Sequence, residues 1–215
     1  MDKKLFERLK QTGILPVIAI QSAEDALPMA DAMIEGGLPC AEITFRTEAA
    51  AEVLTTLKKE RPELILGAGT VLTAENLRRA KDAGAQFGVA PGLNPKILEE
   101  AEKLGIPFIP GVVTPSEVEQ ALSFGVKMLK FFPAEASGGI GMIKALYVPY
   151  GHTGVQFMPT GGVKPDNLAD YLSSEAVPFA GGTWIAKKDV IAAKKWDTIR
   201  ENCKAAVELV RKIRG

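Results

Sequence analysis

The chain alternates short apolar runs with longer amphipathic segments. Eight apolar runs have the length of a β-strand, and the segments between them have the periodicity of helices. Several of these helical segments open with Ser, Thr or Asn and close with Gly, as capped helices do. The predicted strands are LPVIAI from Leu15, CAEITF from Cys40, LILGAG from Leu64, QFGVA from Gln86, PFIPG from Pro107, KMLKFF from Lys127, VQFMPT from Val155 and PFAGGTW from Pro178.

Strands that read as continuous apolar runs, each followed by a helix, predict a parallel sheet covered by helices. Eight such units predict a single (β/α)8 barrel domain over residues 1–215, with a short N-terminal helix in MDKKLFERLKQTG. The chain is shorter than the roughly 250 residues of a typical barrel, so its loops must be tight. The main alternative is an open doubly wound sheet, which usually carries a G-x-G-x-x-G turn or a P-loop. Neither motif is complete in this sequence, since GAGTVLTAEN at Gly67 has only the first two glycines.

Polar residues interrupt the second predicted strand at alternate positions. In AEITFRTE, the side chains of Glu42, Thr44 and Arg46 share one face and the apolar side chains between them share the other. Catalytic groups of a barrel lie at the carboxyl ends of its strands, so Glu42 and Arg46 are expected to point into the barrel mouth. The alternative is an internal ion pair that only fills the barrel, but such pairs contribute little net stability. A functional role for both residues is favoured.

A lysine interrupts the sixth predicted strand in the same way. In KMLKFFPAE, alternation places Lys130 and Phe132 on one face, which is the face that points toward Glu42 and Arg46. Burial generally disfavours the charged form of a lysine, and the neutral amine is the form that attacks a carbonyl. A lysine extending from a strand end into solvent is the alternative reading. The convergence of Lys130, Glu42 and Arg46 favours a Schiff-base nucleophile.

Two pairs of glycines follow the last two predicted strands. PTGGVKPDN (Pro159 to Asn167) follows the seventh strand, and AGGTW (Ala180 to Trp184) ends the eighth. Barrels commonly bind phosphate with loops in these two positions, where glycines expose backbone N–H groups. The two pairs together predict a phosphate site.

Composition and charge exclude several classes of function. The 26 Lys and Arg residues balance 26 Asp and Glu residues, so no basic field would attract nucleic acid or an anionic membrane. No apolar run is long enough to span a bilayer, and the N-terminus lacks the apolar core of a signal peptide. Cys40 and Cys203 lie far apart, which favours free thiols in a reducing compartment. We therefore expect a cytoplasmic protein.

Seven motifs in this order resemble the 2-keto-3-deoxy-6-phosphogluconate (KDPG) / 4-hydroxy-2-oxoglutarate (KHG) aldolase family. They are EITFRTE, GAGTVL, APGLNP, IPGVVTPSE, KFFPAEASGG, PTGGV and GGTW, and they span nearly the whole chain. The resemblance implies a class I aldolase, which forms a Schiff base and needs no metal or other cofactor, on a homotrimeric (β/α)8 barrel. It further implies cleavage of the phosphorylated keto acid to pyruvate and glyceraldehyde 3-phosphate, with activity on 4-hydroxy-2-oxoglutarate as well.

The resemblance also implies a role for each matching position. Lys130 is the expected imine-forming residue, and Glu42 is the expected acid and base. The residues expected to bind the pyruvate part of the substrate or to shape its pocket are Arg46, Thr70, Pro91, Phe132 and Thr160, and those expected to face the phosphate are Gly161, Gly162, Gly181, Gly182 and Thr183.

Two positions depart from the family pattern. Thr183 stands where family members often have Ser, which keeps the hydroxyl and adds a methyl group beside the expected phosphate. Val148 precedes Pro149 in YVPYGHTG, where a Gly-Pro pair is expected in a turn after the sixth helix. The first change bears on substrate preference, and the second on the conformation of that turn.

Other functions remain open from the sequence. An aldolase for the galactonate epimer or for an unphosphorylated keto acid would keep the same catalytic residues. A zinc-dependent aldolase would recruit histidines, and the single histidine, His152, lies in a Gly-rich segment without ligand spacing. A phosphosugar isomerase would share the glycines but would not need Lys130. A non-catalytic phosphometabolite-binding barrel would not need Lys130, Glu42 and Arg46 together.

Overall fold

The computed structural model describes residues 3–215, and its elements follow the predicted order. The strands are β1 (Ile14–Ile18), β2 (Cys40–Thr44), β3 (Ile65–Gly69), β4 (Phe87–Val89), β5 (Phe108–Ile109), β6 (Gly111–Val112), β7 (Met128–Phe131), β8 (Gln156–Pro159) and β9 (Ala180–Gly182). The helices are α1 (Lys3–Thr12), α2 (Ala26–Glu35), α3 (Ala50–Glu60), α4 (Ala74–Asp82), α5 (Pro95–Leu104), α6 (Pro115–Ser123), α7 (Gly139–Tyr150), α8 (Leu168–Leu172), α9 (Lys188–Ala192) and α10 (Trp196–Arg214). Each of the eight predicted strands is present, and the fifth is divided into β5 and β6.

The strands pair in parallel throughout the described chain and form two hydrogen-bonded sheets. One sheet has the order β5-β4-β3-β2-β1-β9, and the other has the order β6-β7-β8. Pro110 divides β5 from β6 because proline has no N–H to donate to a neighbouring strand. At the other junction, a single parallel bridge joins Thr160 to Gly181. The predicted α/β fold with parallel strands is confirmed, and the strands curl. The closed (β/α)8 barrel that the sequence predicts is not confirmed as a continuous ladder, because its hydrogen bonds are interrupted at these two places.

Helix caps form where the sequence predicts them. The side chains of Thr73 and Asn94 accept hydrogen bonds from backbone N–H groups in the first turns of α4 and α5. Thr114 and Glu117 form a reciprocal capping box at the start of α6. These caps fix the point at which each loop enters its helix, and the loops that precede them lie at the carboxyl ends of the strands.

Two segments differ from the sequence prediction. The expected turn around Val148 is instead the last part of α7, which continues through Pro149 to Tyr150. The side chain of Val148 is 85% exposed on that helix. The short helix α9, between β9 and α10, is an additional element that the sequence analysis did not predict.

The N-terminal helix covers the amino end of the strands. Helix α1 begins at Lys3, and the first two residues of the predicted N-terminal segment lie outside the described residues. The ring of Phe6 packs edge-on against the ring of Phe179, which immediately precedes β9, with 6.5 Å between the ring centroids. Within residues 3–215, no helix combines the length and apolar character needed to cross a membrane.

Candidate active site

The side chains of Lys130 and Glu42 meet inside the curled sheets. Lys130 in β7 and Glu42 in β2 are 88 residues apart in sequence, and 3.4 Å separates Nζ from Oε1. The Glu42 side chain is fully buried and the Lys130 side chain is 6% exposed. The second carboxylate oxygen of Glu42, Oε2, is buried and has no hydrogen-bond partner among residues 3–215. A buried amine beside a carboxylate with a free acceptor oxygen can exchange protons with a ligand that enters between them.

Gly69 provides the space that the Glu42 carboxylate occupies. Gly69 ends β3, next to the strand that carries Glu42. A Cβ atom on Gly69 would lie 2.2 Å from Oε1 of Glu42 and 2.8 Å from its Cδ. The glycine is therefore required by the position of a side chain on the neighbouring strand. Gly69 belongs to the GAGTVL motif, and the local sequence pattern predicts no role for it.

Gly111 and Phe132 lie beside Lys130, and Thr70 and Pro91 follow the neighbouring strands β3 and β4. The strand that carries Lys130 pairs with Gly111, and a Cβ on Gly111 would lie 2.0 Å from the carbonyl oxygen of Pro91. The backbone of Pro91 therefore lies directly against the strand beside Lys130. The ring of Phe132 faces the lysine, with 5.5 Å from Nζ to the ring centroid. Thr70 follows β3 directly and has a φ of 54°, an uncommon value for a residue with a side chain.

Arg46 lies in the turn just beyond β2, outside the strand itself. Strand alternation predicts that it shares a face with Glu42 and Thr44. Its Nε donates a 3.3 Å hydrogen bond to Oγ1 of Thr44, which keeps the arginine on that face. The Arg46 side chain is exposed, in contrast to buried Glu42 and Lys130.

Thr160 is a buried residue at the carboxyl end of β8. It is 3% exposed, and its Oγ1 has no hydrogen-bond partner within the described part of the chain. The same oxygen would lie 2.2 Å from a Cβ on Gly181, so the glycine is required to accommodate the threonine side chain. A buried hydroxyl without a partner is unfavourable, and a ligand that bonds to it would relieve the cost.

Gly161 and Gly162 both have positive φ values, of 95° and 85°. A Cβ on Gly162 would lie 2.4 Å from Cγ of Glu135, and one on Gly161 would lie 3.3 Å from Cε2 of Phe132. Side chains of the protein therefore already explain these two glycines, through both conformation and packing.

The second glycine pair has a similar explanation. A Cβ on Gly182 would lie 2.7 Å from the ring of Trp184. Thr183, between them, is exposed. A bulky substitution at any of the four glycines would disturb neighbouring side chains, so such variants cannot isolate a contact with phosphate.

Exposed Glu135 and buried Tyr171 form a hydrogen-bonded pair that the sequence pattern does not predict. The Tyr171 hydroxyl donates a hydrogen bond to Oε1 of Glu135. Burial and this hydrogen bond raise the pKa of Tyr171. The backbone N–H of Glu135 also donates to the carbonyl of Gly161, at 3.0 Å. Glu135 appears in the quoted KFFPAEASGG motif, but it lies beyond the strand, where alternation no longer predicts direction.

The two cysteines and the single histidine, the other side chains with catalytic or metal-binding potential, form no hydrogen bond or ion pair with Lys130 or Glu42 in the described structure. Cys40 in β2 and Cys203 in α10 are buried free thiols, and burial raises the pKa of each to about 12. His152 lies in a 3-10 turn, Gly151–Thr153, after α7. Among residues 3–215, no three His, Cys, Asp or Glu side chains are grouped so that they could hold a metal ion.

A lysine buried against a carboxylate, at the carboxyl ends of parallel strands, is typical of α/β enzymes that react with carbonyl compounds through an amine. Comparison with known proteins agrees with this class. The family model described as KDPG and KHG aldolase matches residues 5–202.

Individual relatives match over nearly their full length. The 2-dehydro-3-deoxy-phosphogluconate aldolase of Haemophilus influenzae is 45% identical over 209 residues, which cover 97% of this chain and 98% of the relative. The KHG/KDPG aldolase of Escherichia coli K12 is 42% identical over 207 residues, 96% of each chain. A crystal structure of KDPG aldolase from Legionella pneumophila, with pyruvate captured at low pH as a covalent carbinolamine intermediate, has a TM-score of 0.89 and 38% identity. The match covers 94% of this chain and 97% of the Legionella chain.

The chain therefore belongs to the KDPG and KHG aldolase family, whose enzymes are carbon–carbon lyases.

Proposed function

We propose that this aldolase cleaves KDPG to pyruvate and glyceraldehyde 3-phosphate, with Lys130 as the imine-forming residue and Glu42 as the acid and base. The observation that carries the assignment is the buried contact of Lys130 Nζ with Glu42 Oε1, at 3.4 Å. Lys130 is the buried lysine of this site, and it lies beside polar side chains rather than in an apolar core. The same residues would cleave KHG, which shares the 2-keto acid and the C4 hydroxyl.

In the first stage, Glu42 accepts a proton from the Lys130 ammonium, and the free amine attacks the C2 carbonyl of the keto acid to form a carbinolamine. Glu42 donates the proton that lets the C2 oxygen leave as water, and an iminium remains. The position of Glu42 next to Nζ supports this role, because one carboxyl group can serve both the amine and the departing oxygen.

In the second stage, the C3–C4 bond breaks. Glu42 accepts the proton of the C4 hydroxyl, the C4 carbonyl forms, and the bonding electrons move to the iminium nitrogen to give an enamine. The aldehyde then leaves, and a proton from Glu42 returns to C3. Water hydrolyses the resulting imine, which releases pyruvate and restores the free amine of Lys130.

Neighbouring side chains would hold the pyruvate part of the substrate. Arg46 offers paired N–H donors that suit a planar carboxylate. Buried Thr160 offers a hydroxyl that is otherwise unbonded within the described chain. Thr70, Pro91 and Phe132 line the same strand ends, and Phe132 faces Lys130.

The phosphate would lie at the loops after β8 and β9. Backbone N–H groups of Gly161, Gly162, Gly181 and Gly182, and the exposed hydroxyl of Thr183, are the proposed donors. The position of both loops at the carboxyl ends of the last two strands supports this assignment. The glycines themselves are explained by packing, so Thr183 is the better point at which to test it.

We also propose a homotrimer in the cytoplasm. The family resemblance supports the trimer, and the two buried free thiols are suited to a reducing compartment. Sedimentation of the native protein should give a particle of three chains.

The deciding experiment is reductive trapping with pyruvate. Borohydride should convert the imine to a stable secondary amine and add mass to the peptide that contains Lys130. Lys130→Met should abolish trapping and leave the fold intact, because methionine has a similar length and no charge. Lys127→Met, three residues earlier on an exposed position, is the matched control and should trap as the wild type does. Label on another lysine would refute the assignment.

A further inference from the structure

We infer that Thr44 is a positioning residue that fixes the Arg46 guanidinium so that its two terminal nitrogens, Nη1 and Nη2, receive the substrate carboxylate. The inference rests on the proposed function, in which Arg46 binds that carboxylate. Thr44 itself has no proposed contact with the substrate.

The hydroxyl of Thr44 has one hydrogen, and that hydrogen is already committed. Thr44 is 1% exposed in β2, and its Oγ1 donates a 2.9 Å hydrogen bond to the carbonyl oxygen of Ile18 on the neighbouring strand β1. Toward Arg46 the same hydroxyl oxygen can therefore act only as an acceptor, and Nε of Arg46 donates a hydrogen bond to it at 3.3 Å. A backbone carbonyl of one strand thus sets the orientation of an arginine beyond the end of the next.

This bond selects between two ways in which arginine binds a carboxylate. A guanidinium can present either the Nη1 and Nη2 pair or the Nε and Nη2 pair as two parallel donors. The bond to Thr44 uses Nε. Within residues 3–215, Nη1 and Nη2 of Arg46 have no hydrogen-bond partner and no acidic partner. The Nη1 and Nη2 pair is therefore the one that remains to bind the carboxylate of the keto acid.

A fixed donor pair limits the orientations of the bound keto acid. In a 2-keto acid, the carboxylate is bonded directly to C2, so a fixed carboxylate restricts where C2 can lie relative to Lys130. Ordering the reactants before reaction lowers the entropic cost of imine formation. Thr44 therefore acts on substrate capture through Arg46, and proton transfer by Glu42 does not require it.

The test compares Thr44→Val with Thr44→Ser. Valine keeps the shape of threonine but accepts no hydrogen bond, and serine keeps the hydroxyl. Thr44→Val should raise KM for KDPG by about ten-fold, which is the size expected for a hydrogen bond to a charged group, with a smaller change in kcat. Thr44→Ser should stay close to the wild type. If Thr44→Val does not fold, Thr44→Ala provides the same comparison.

Reductive trapping separates this role from a merely structural one, and the melting temperature does not. Valine leaves the Ile18 carbonyl without its donor, so a lower melting temperature is expected in either case. Reductive trapping of a ketone that lacks the carboxylate, hydroxyacetone, should be unchanged in Thr44→Val if Thr44 acts through Arg46. Equal loss with pyruvate and with hydroxyacetone would mean that Thr44 only supports the strand, and would overturn the inference.

A double-mutant cycle completes the test. Arg46→Ala should raise KM strongly, and adding Thr44→Val to it should raise KM no further. A further additive increase would overturn the inference. If Arg46→Ala leaves KM unchanged, the carboxylate assignment in the proposed function fails. If Arg46→Ala raises KM and Thr44→Val does not, that assignment stands and the positioning role of Thr44 fails.

Discussion

Gly69 lies so close to Glu42 that any side chain at position 69 would overlap the Glu42 carboxylate. The nearest atom to a Cβ at this position is Oε1, the oxygen that contacts Lys130. The catalytic carboxylate proposed here thus owes its position to the absence of a side chain on the neighbouring strand. A substitution at Gly69 therefore tests the position of the Glu42 carboxylate without altering any ionisable group.

Gly69→Ala should displace Glu42 and lower kcat, with little effect on the affinity for pyruvate. The added methyl group would overlap Oε1, Cγ and Cδ of Glu42 within 2.8 Å, so the carboxylate must move. The measurement is kcat together with the thermal unfolding midpoint. Gly141→Ala is the control, because Gly141 lies in α7 with open space around it among the described residues, and alanine favours a helix. A wild-type kcat in Gly69→Ala would contradict the role given to this carboxylate position.

Glu42→Gln should reduce turnover by roughly 10²- to 10⁴-fold, the usual contribution of general acid–base catalysis. The amide keeps the size of the side chain but cannot accept a proton. Imine formation with pyruvate should persist at a reduced rate, so borohydride trapping at Lys130 remains measurable. Glu48→Gln, in the exposed turn after β2, should behave as the wild type. Wild-type turnover in Glu42→Gln would mean that another group acts as the acid and base.

Thr183→Asp should weaken binding of the phosphorylated substrate specifically. A carboxylate at this exposed position would repel the phosphate and raise KM for KDPG by roughly ten-fold or more. Thr183→Asn, which has the same shape as aspartate without the charge, is the matched control. Pyruvate carries no phosphate, so its trapping at Lys130 should be unchanged in both variants. Similar KM values in the Asp and Asn variants would place the phosphate elsewhere.

Stability should fall with rising pH above about 9 because of the two buried thiols. Burial raises the pKa of Cys40 and Cys203 to about 12, against 9.0 for an exposed thiol. Between these values the unfolded chain has lost protons that the folded chain retains, so the free energy of unfolding decreases as pH rises. Each thiol should contribute a slope of about 1.4 kcal/mol per pH unit to the free energy of unfolding. Below pH 9 both thiols stay protonated in the folded and unfolded chains, so they add no pH dependence.

Urea unfolding at pH 8 and pH 10 measures this slope. The double variant Cys40→Ala/Cys203→Ala should lose less stability than the wild type over that interval, whatever its stability at pH 8. Equal losses in the two proteins would mean that other groups cause the alkaline destabilisation.

Local patterns were sufficient to predict the strands and the inward direction of Lys130 and Glu42. A strand has a side-chain period of two, so Lys130 and Glu42 could be placed on inward faces from a few neighbouring residues. Parallel strands bring their carboxyl ends to one edge, which predicted that the two residues would converge. The glycine pairs after the last two strands were found by the same positional reasoning.

Contacts between distant segments were decided by the tertiary structure. The sequence does not reveal that Nζ of Lys130 reaches Oε1 of Glu42, or that Gly69 leaves the space for it. It also does not show that Glu135 occupies the space beside Gly162, one of the glycines expected to face the phosphate. Glu135 lies beyond the end of β7, where the alternation that predicts direction no longer applies.

The sequence by itself determined the order of strands and helices, their parallel arrangement and the family, because these depend on local periodicity and on contiguous motifs. Tertiary structure alone decided the interruption at Pro110, the continuation of α7 through Val148 and the bond that orients Arg46 toward Thr44. The physical reason is that distances of a few ångströms between side chains depend on how non-neighbouring segments pack. No period along the chain specifies that packing.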